Sequence, residues 1–253
     1  MIEIPRIIPV LLYKNSGLVK TVRFKKLIYV GDALNAVKIF NEKEVDELIF
    51  LDMDASIEKK NPPLQLLADI AGECFMPLCY GGGIRSIQMI KEILNVGIEK
   101  VSVNTFATEN PHFIREAAEN FGSSTIVVSI DVKKNIFGNY EVFSKGGRVN
   151  TKLDPVKYAV EMNRQGAGEI LLTSIDRDGT KKGYQVDLIS SISKEVDIPV
   201  VACGGAGSIM DFKTAIIEGG ASAVAAGSMF VFYGKHHGVL INYPSQKEIT
   251  EIF

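Results

Sequence analysis

The amino-acid sequence predicts an α/β fold, specifically a single (β/α)8 TIM barrel with a two-fold half-barrel repeat. Three observations lead to this prediction: eight short apolar runs, amphipathic segments between them, and an internal repeat that relates the two halves of the chain. The chain has 253 residues, and barrels of this class typically need about 250. We therefore expect one domain over residues 1–253, with half-barrels at about 1–122 and 123–253.

The eight apolar runs are rich in Val, Ile, Leu and Ala and show almost no alternation of apolar and polar residues. This pattern is typical of parallel strands that are buried on both faces. The predicted strands are 6–12, 47–53, 76–80, 99–104, 125–131, 168–174, 198–203 and 222–227.

The segments between these runs carry helix signals. Asn110 and Pro111 are typical of a helix start, and Gly122 marks the end of that helix. Asp154 followed by a proline opens another helix, and residues 32–44 place apolar side chains on one stripe. Strands that alternate with helices predict a parallel sheet, and right-handed crossovers leave few topologies.

The internal repeat favours a closed barrel over an open sheet. Residues 77–87 align with residues 199–209 at an offset of 122 residues. Three further pairs of segments keep nearly that spacing: 101–107 with 224–230, 49–52 with 170–173, and 7–12 with 126–131. An open, doubly wound sheet does not require two such symmetric halves.

Composition excludes several classes of protein. The formal net charge is −2 with scattered Lys and Arg residues, which argues against a nucleic-acid partner. No stretch of 18 apolar residues predicts a membrane span, and residues 1–10 lack the features of a signal peptide. Cys74, Cys79 and Cys203 lack the spacing of a zinc site or a disulfide framework. We expect a cytoplasmic protein without a metal or an organic cofactor.

Two glycine clusters are candidate phosphate sites. Residues 81–83 and 204–207 each follow a strand and precede a helix opened by Ser86 or Ser208. Such glycines let backbone N–H groups approach an anion, although turn glycines look similar. Residues 104–105 and 227–228 follow the next strand of each half and can complete the sites. Two sites at one barrel mouth predict an elongated substrate with a phosphate at each end.

Candidate reactive groups stand at or just beyond strand ends, where the active face of a barrel lies. Asp131 is favoured as a general acid or base, because it ends an apolar run at the mouth. Asp178 is expected to shape a loop or to contact backbone groups. The remaining candidates are Lys20 in the long first loop, Asp52, Thr173 and Asp176. The histidines, His112, His236 and His237, do not suggest a catalytic triad.

Several motifs together resemble one known family over nearly the whole chain. They are Arg-Ile-Ile-Pro at residue 6, Phe-Leu-Asp at 50, Gly-Gly-Gly-Ile-Arg at 81, Val-Ser-Val-Asn-Thr at 101, the block 166–180, and Ala-Cys-Gly-Gly-Ala-Gly at 202. The sequence is similar to the HisF-type cyclase subunits of imidazole glycerol phosphate synthase. The resemblance implies a heterodimer with a glutaminase docked on the N-terminal barrel face. It also implies ammonia passing through the barrel to a bis-phosphorylated aminoimidazole, which is cleaved and cyclised.

The resemblance assigns roles to individual positions. Asp131 matches one of two catalytic aspartates, and Lys20, Asp52, Thr173 and Asp178 match substrate-binding positions. The implied phosphate-binding residues are Gly83, Asn104, Thr105, Gly179, Gly205, Ala206, Gly227 and Ser228. The implied ammonia gate comprises Arg6, Glu47, Lys100 and Glu169, which are two cations and two anions near strand starts.

One catalytic position departs from the family pattern. Where the family has Cys-Leu-Asp-Val, this chain has Val-Leu-Leu-Tyr from residue 10, so Leu12 replaces the other aspartate. The repeat also aligns Leu12 with Asp131. We expect a paralogue with weakened or redirected cyclase activity, for example one that passes ammonia to a third protein for amidination of a surface-polysaccharide sugar.

Two alternatives remain open. The first is the orthodox cyclase of histidine biosynthesis, and the second is the related sugar-phosphate isomerase. The isomerase would also require a carboxylate at position 12, and it has no need of the charged gate. The sequence identifies neither the ammonia acceptor nor the conformation of the loop at residues 137–151.

Overall fold

Eight parallel strands form a closed ring, which confirms the predicted barrel. The structure is a computed structural model that describes residues 4–234 and 238–253. Each strand pairs with the next, and the eighth pairs with the first. The strands are β1 Arg6–Lys14, β2 Leu48–Asp52, β3 Leu78–Gly81, β4 Lys100–Val103, β5 Ile126–Lys134, β6 Glu169–Ser174, β7 Val200–Cys203 and β8 Ala223–Ala226.

In the described ranges, eight helices of seven or more residues follow the strands. They are α1 Ala33–Glu42, α2 Leu64–Glu73, α3 Ile87–Asn95, α4 His112–Phe121, α5 Pro155–Arg164, α6 Val186–Ser193, α7 Ile209–Ile217 and α8 Gln246–Ile252. Short helices at Ala55–Glu58, Thr105–Glu109 and Ser228–Val231 follow β2, β4 and β8. None of the described helices is both long and apolar enough to cross a membrane.

The helix caps largely follow the sequence signals. The Asp154 side chain accepts a hydrogen bond from a backbone N–H group in the first turn of α5, and Ser86 does the same for α3. The prediction that Asn110 caps α4 is wrong, because the N-cap is Pro111 and no side chain bonds there. Asn110 instead ends the short helix Thr105–Glu109. Asn110 and Pro111 therefore connect two helices, whereas the sequence pattern predicted only one helix start there.

The first and fifth strands are longer than the others and carry antiparallel extensions. β1 pairs with the strand Gly17–Lys20, which pairs in turn with Ile28–Gly31. β5 pairs with Tyr140–Ser144, which pairs with Val149–Asn150. The loop at residues 137–151, which the sequence left unassigned, is therefore mostly part of a β-hairpin related to the first loop by the barrel two-fold.

Strand registers define the internal repeat. Equivalent pairs recur in both halves: Leu48–Leu78 with Ile170–Val200, and Leu12–Leu51 with Asp131–Thr173. The predicted alignment of residues 49–52 with 170–173 is therefore one residue off, and Thr173 corresponds to Leu51. Each run is apolar except for its last residue, Asp52 or Thr173, and the predicted alignment matched these two polar residues although the strand pairing does not.

Two apolar layers fill the fold. Large side chains pack between the strands and the helices, including the fully buried Phe40, Phe50, Tyr80, Phe212 and Phe230. A second cluster fills the barrel interior, with Ile8, Val10, Ile49, Cys79, Val127, Leu171, Val201, Ala223 and Ala225. This inner cluster separates the N-terminal end of the barrel, called here the base, from the C-terminal end, called the mouth.

Candidate functional site: a charged base and a polar mouth

Four charged side chains meet at the base. Arg6 forms an ion pair with Glu47, and its Nη2 atom lies 2.8 Å from Glu169 Oε2. The Lys100 Nζ atom lies 3.0 Å from Glu47 Oε2 and 3.3 Å from Glu169 Oε2. Each cation contacts both anions, so strands β1, β4 and β6 and the residue before β2 contribute a ring with no net formal charge. We call it the base ring.

Burial and charge act in opposite directions on Arg6. Burial lowers the pKa of its guanidinium, but the carboxylates of Glu169 and Glu47 outweigh burial and raise the pKa. Glu47 is only 2% exposed. The carboxylates of the base ring therefore rely on their two cationic partners rather than on water.

A cavity of about 510 Å³ opens at the mouth. Its volume falls within the range of ordinary small-molecule sites. It is lined by Leu12 and by all but one of the single residues predicted at the mouth: Lys20, Asp52, Gly83, Asn104, Thr105, Asp131, Thr173, Asp178, Gly179, Gly205, Ala206, Gly227 and Ser228. Asp176 is not among the lining residues. Its carboxylate instead accepts a hydrogen bond from the backbone N–H group of Lys134.

Asp131 is buried at the end of the apolar run of β5 and has few polar neighbours. Asn104 Nδ2 lies 3.2 Å from its carboxylate. Burial raises the pKa of Asp131 to about 7, and the charge of Asp178 adds to this, whereas a hydrogen bond from Thr173 opposes it. A carboxyl group with this pKa can both hold and release a proton at neutral pH.

Lys20 and Asp178 connect the first loop to the mouth. Lys20 is 3% exposed, and its ammonium group donates to the Val10 carbonyl oxygen. Burial lowers the pKa of Lys20 to about 8, while Asp178 acts in the opposite direction. The Asp178 carboxylate accepts hydrogen bonds from Thr21 Oγ1 at 2.6 Å and Phe24 N at 3.1 Å. Asp178 therefore holds the first loop across the mouth.

The Asp52 side chain has a local structural role. Its carboxylate accepts hydrogen bonds from the backbone N–H groups of Asp54 and Ala55, both at 3.1 Å. These bonds order the chain where the short helix Ala55–Glu58 begins. Burial raises the pKa of Asp52, although the two N–H groups act against that rise.

The two-fold repeat makes the mouth chemically asymmetric. Leu12 occupies the place that Asp131 occupies in the other half, and Leu51 occupies the place of Thr173. Both leucines are half-buried and line the cavity. One half of the cavity wall is therefore apolar at Leu12 and Leu51. The other half has a carboxyl group and a hydroxyl group at the equivalent positions, Asp131 and Thr173.

Sequence reasoning missed several residues that line the cavity, among them Phe24, Glu109, Lys145 and Gly146. Lys145 and Gly146 belong to the hairpin after β5, and the Lys-Gly-Gly tract that they begin was the available signal. Within 4–234 and 238–253, no three His, Cys, Asp or Glu side chains are grouped so as to hold a metal ion. His236 and His237 lie outside the described residues.

Comparison with known proteins agrees with this architecture. The model of the histidine biosynthesis protein family matches residues 6–237. A Pseudomonas aeruginosa protein provisionally named imidazole glycerol phosphate synthase subunit hisF2 is 51% identical over 244 residues, covering 96% of this chain and 97% of the relative.

Two further relatives span most of the chain. A Vibrio vulnificus protein provisionally named as subunit hisF3 of the same synthase is 48% identical over 96% of this chain and 94% of its own length. The imidazole glycerol phosphate synthase subunit HisF of Alkaliphilus metalliredigens is 44% identical and covers 89% of each chain. The chain therefore belongs to the histidine biosynthesis protein family and is related there to the HisF-type cyclase subunits of imidazole glycerol phosphate synthase.

Proposed function

We propose that this chain is the synthase subunit of a glutamine-dependent amidotransferase complex and receives ammonia from a glutaminase through the barrel. Its own cyclase activity is weakened or redirected. The observation that carries this proposal is Leu12, which faces the mouth at the two-fold position of Asp131 while the base ring and the mouth are both present. The relatives named hisF2 and hisF3 support a paralogue.

The chemistry of cyclisation explains why Leu12 matters. Closing an imidazole ring moves protons on both sides of the substrate, and each positioned acid or base typically contributes about 10²–10⁴-fold to the rate. Asp131 supplies one such group. Leu12 supplies none, so ammonia that reaches the mouth meets only part of the catalytic machinery. Under this proposal, the ammonia passes to a third protein, which uses it to aminate its own substrate, for example a surface-polysaccharide sugar.

Two features at the base of the barrel support the proposal that an ammonia-donating partner binds there. The ring of Arg6, Glu47, Lys100 and Glu169 acts as the gate through which ammonia enters the barrel. Phe75, which lies between α2 and β3 at this end, is 88% exposed. Aromatic side chains of this kind are enriched at protein interfaces. We place the glutaminase on this face.

The test is a cyclisation assay with the bis-phosphorylated aminoimidazole precursor and excess ammonium salt. We expect little cyclised product from the natural chain and a gain on the order of 10²-fold from Leu12→Asp, because the new carboxylate faces Asp131 across the cavity. Leu12→Asn is the matched control, since it has a similar shape but no titratable proton. Rapid cyclisation by the natural chain would contradict redirected activity.

The second candidate is the orthodox cyclase of histidine biosynthesis. It is favoured by the pKa of Asp131, near 7, and by Lys20 at the same cavity. The relative from Alkaliphilus metalliredigens carries the HisF name without qualification. In the same assay, this candidate predicts full activity from the natural chain and no gain from Leu12→Asp.

A further inference from the structure

We propose that Lys145, in the hairpin after β5, binds the phosphate group at the site formed by Gly83, Asn104 and Thr105. When no phosphate is bound, the Lys145 ammonium group forms an ion pair with Glu109 instead. We call this site the first phosphate site, and the one at Gly205 and Gly227 the second. The inference rests on the proposed function, which supplies the two phosphate sites, and it adds a residue and a control element to the first of them.

The two-fold repeat of the barrel places Lys145 one residue beyond the equivalent of Lys20. Leu12 pairs with Val19 and Asp131 pairs with Phe143, so Ser144 is the residue that corresponds to Lys20. In the first half, β1 pairs with the antiparallel strand Gly17–Lys20, and Lys20 is the last residue of that strand. In the second half, β5 pairs with Tyr140–Ser144, and Lys145 follows that strand directly. Two equivalent loops therefore each bring one lysine to the mouth.

Each lysine reaches the strand next to its own loop. β1 neighbours β8, and a Cβ atom added to Gly227 would lie 2.7 Å from Lys20 Nζ. β5 neighbours β4, and the backbone N–H group of Lys145 donates to Thr105 Oγ1 at 3.0 Å. The registers of β4 and β8 make Thr105 the equivalent of Ser228. Lys145 is thus anchored beside the first phosphate site by its backbone, whereas Lys20 reaches the second with its ammonium group.

The arginine at the first phosphate site is already committed. The Arg85 guanidinium donates to the carbonyl oxygens of Lys59, Lys60 and Gly83 and to Asn61 Oδ1. Arg85 therefore holds the loop after β2 in place. To bind a phosphate dianion at this end more strongly than backbone N–H groups do alone, the site needs a cation that can still move.

Lys145 meets that need through a weak ion pair. Its Nζ atom lies 3.2 Å from Glu109 Oε1, with side chains that are 42% and 51% exposed. Both residues line the cavity. Exposed ion pairs are held weakly, whereas an ammonium group binds a dianionic phosphate more strongly than a single carboxylate. An arriving phosphate therefore draws Lys145 away from Glu109.

The experiment is a titration of the full chain with inorganic phosphate, followed by NMR. Amide shifts of Gly83, Asn104 and Thr105 report the first site, and those of Gly227 and Ser228 report the second as an internal reference. We expect Lys145→Met to weaken phosphate binding at the first site about tenfold. We expect Glu109→Gln to tighten it severalfold, because the competing carboxylate is gone.

Lys152→Met is the matched control, because Lys152 lies in the same hairpin region but pairs with Glu141 at 3.6 Å and does not line the cavity. It should leave phosphate binding unchanged. An ion pair that only braces the hairpin predicts weaker binding from both Lys145→Met and Glu109→Gln. That result, an unchanged affinity in Lys145→Met, an equal effect of Lys152→Met, or no phosphate binding at the first site of the natural chain would overturn the inference.

A parallel titration with the bis-phosphorylated aminoimidazole precursor separates this inference from the proposed function. If the natural chain binds inorganic phosphate at both sites in the way described but does not bind the precursor, the proposed substrate relationship fails and the role of Lys145 stands. If the precursor binds and Lys145→Met leaves its affinity unchanged, the role of Lys145 fails and the proposed function stands.

Discussion

Asp131 is a buried carboxyl group whose neighbours stabilise its anion poorly. Asn104 and Thr173 contact it, but burial and the nearby Asp178 raise the pKa of Asp131 to about 7. The same environment that suits this residue for proton transfer at neutral pH makes its ionised form a source of instability. Residues at catalytic positions commonly show this combination.

Asp131→Asn should therefore stabilise the protein in a pH-dependent way. The pKa of Asp131 is about 7 when folded and near 3.8 as an unperturbed group. Between about pH 4 and 7, Asp131 is therefore protonated in the folded natural chain but ionised in the unfolded chain. The free energy of unfolding consequently falls as the pH rises from about 4 to 7. The gain from Asp131→Asn should grow over that range and level off above it, reaching at most about 4 kcal/mol.

Urea unfolding at pH 5 and pH 8.5 measures this difference. Asp176→Asn is the control for loss of a carboxylate at the same barrel end, since Asp176 does not line the cavity. A difference between Asp131→Asn and the natural chain that stays constant with pH would contradict the expectation.

At the scale of elements, three loops close over the mouth through glycine contacts. A Cβ atom added to Gly179, in the loop after β6, would lie 2.0 Å from the Thr21 carbonyl oxygen. One added to Gly147, in the hairpin after β5, would lie 2.9 Å from Phe24 Cδ2. The first loop therefore fits against two others only because both contact points lack side chains.

Gly179→Ala should open the first loop. Its backbone φ is +66°, and the added methyl group would overlap the Thr21 carbonyl, so the loop must move. We expect trypsin to cut after the exposed Lys25 and Lys26 severalfold faster than in the natural chain.

Gly138→Ala is the matched control for this loop prediction. Gly138 has a φ of +85° but nothing within 4 Å of an added Cβ atom. It therefore carries similar backbone strain, on the order of 1 kcal/mol, without the overlap. Equal acceleration of cleavage by both variants would show that strain, and not the contact with Thr21, controls the loop.

At the scale of the whole molecule, the barrel joins two polar ends through an apolar centre. The base ring closes one end with two cations and two anions, and the mouth cavity opens at the other. The inner cluster between them includes small side chains such as Ala223 and Ala225. Under the proposed function, this apolar centre is the path that ammonia takes from the base to the mouth.

Lys100→Met should destabilise the fold by about 3 kcal/mol. The substitution leaves the buried carboxylates of Glu47 and Glu169 with Arg6 as their shared partner in the base ring, and an uncompensated buried charge is costly. Lys247→Met is the control, because Lys247 pairs with Glu251 at 3.9 Å and its side chain is 86% exposed. That change should stay within about 0.5 kcal/mol in urea unfolding. Equal stability of Lys100→Met and the natural chain would refute a structural contribution from the base ring.

The sequence by itself determined the architecture and the identity of the unusual position. Apolar runs of strand length, separated by capped helices such as the one opened by Asp154, specify a parallel sheet because these signals are local in the chain. The repeat predicted a closed barrel and aligned Leu12 with Asp131, and both inferences needed only residue types and their spacing. The expectation of an aspartate at position 12 came from the resemblance to the HisF-type family.

The tertiary structure alone decided how β2 aligns with β6 in the repeat, because the polar residues that end the two apolar runs, Asp52 and Thr173, are not equivalent and only the strand pairing shows it. It also decided the hairpin after β5, the closure of the first loop by Gly179, and the pairing of Lys145 with Glu109. The pKa of Asp131 follows from burial and from Asp178, 47 residues further along the chain. These features depend on contacts between loops that are distant in sequence, and no local pattern records such contacts.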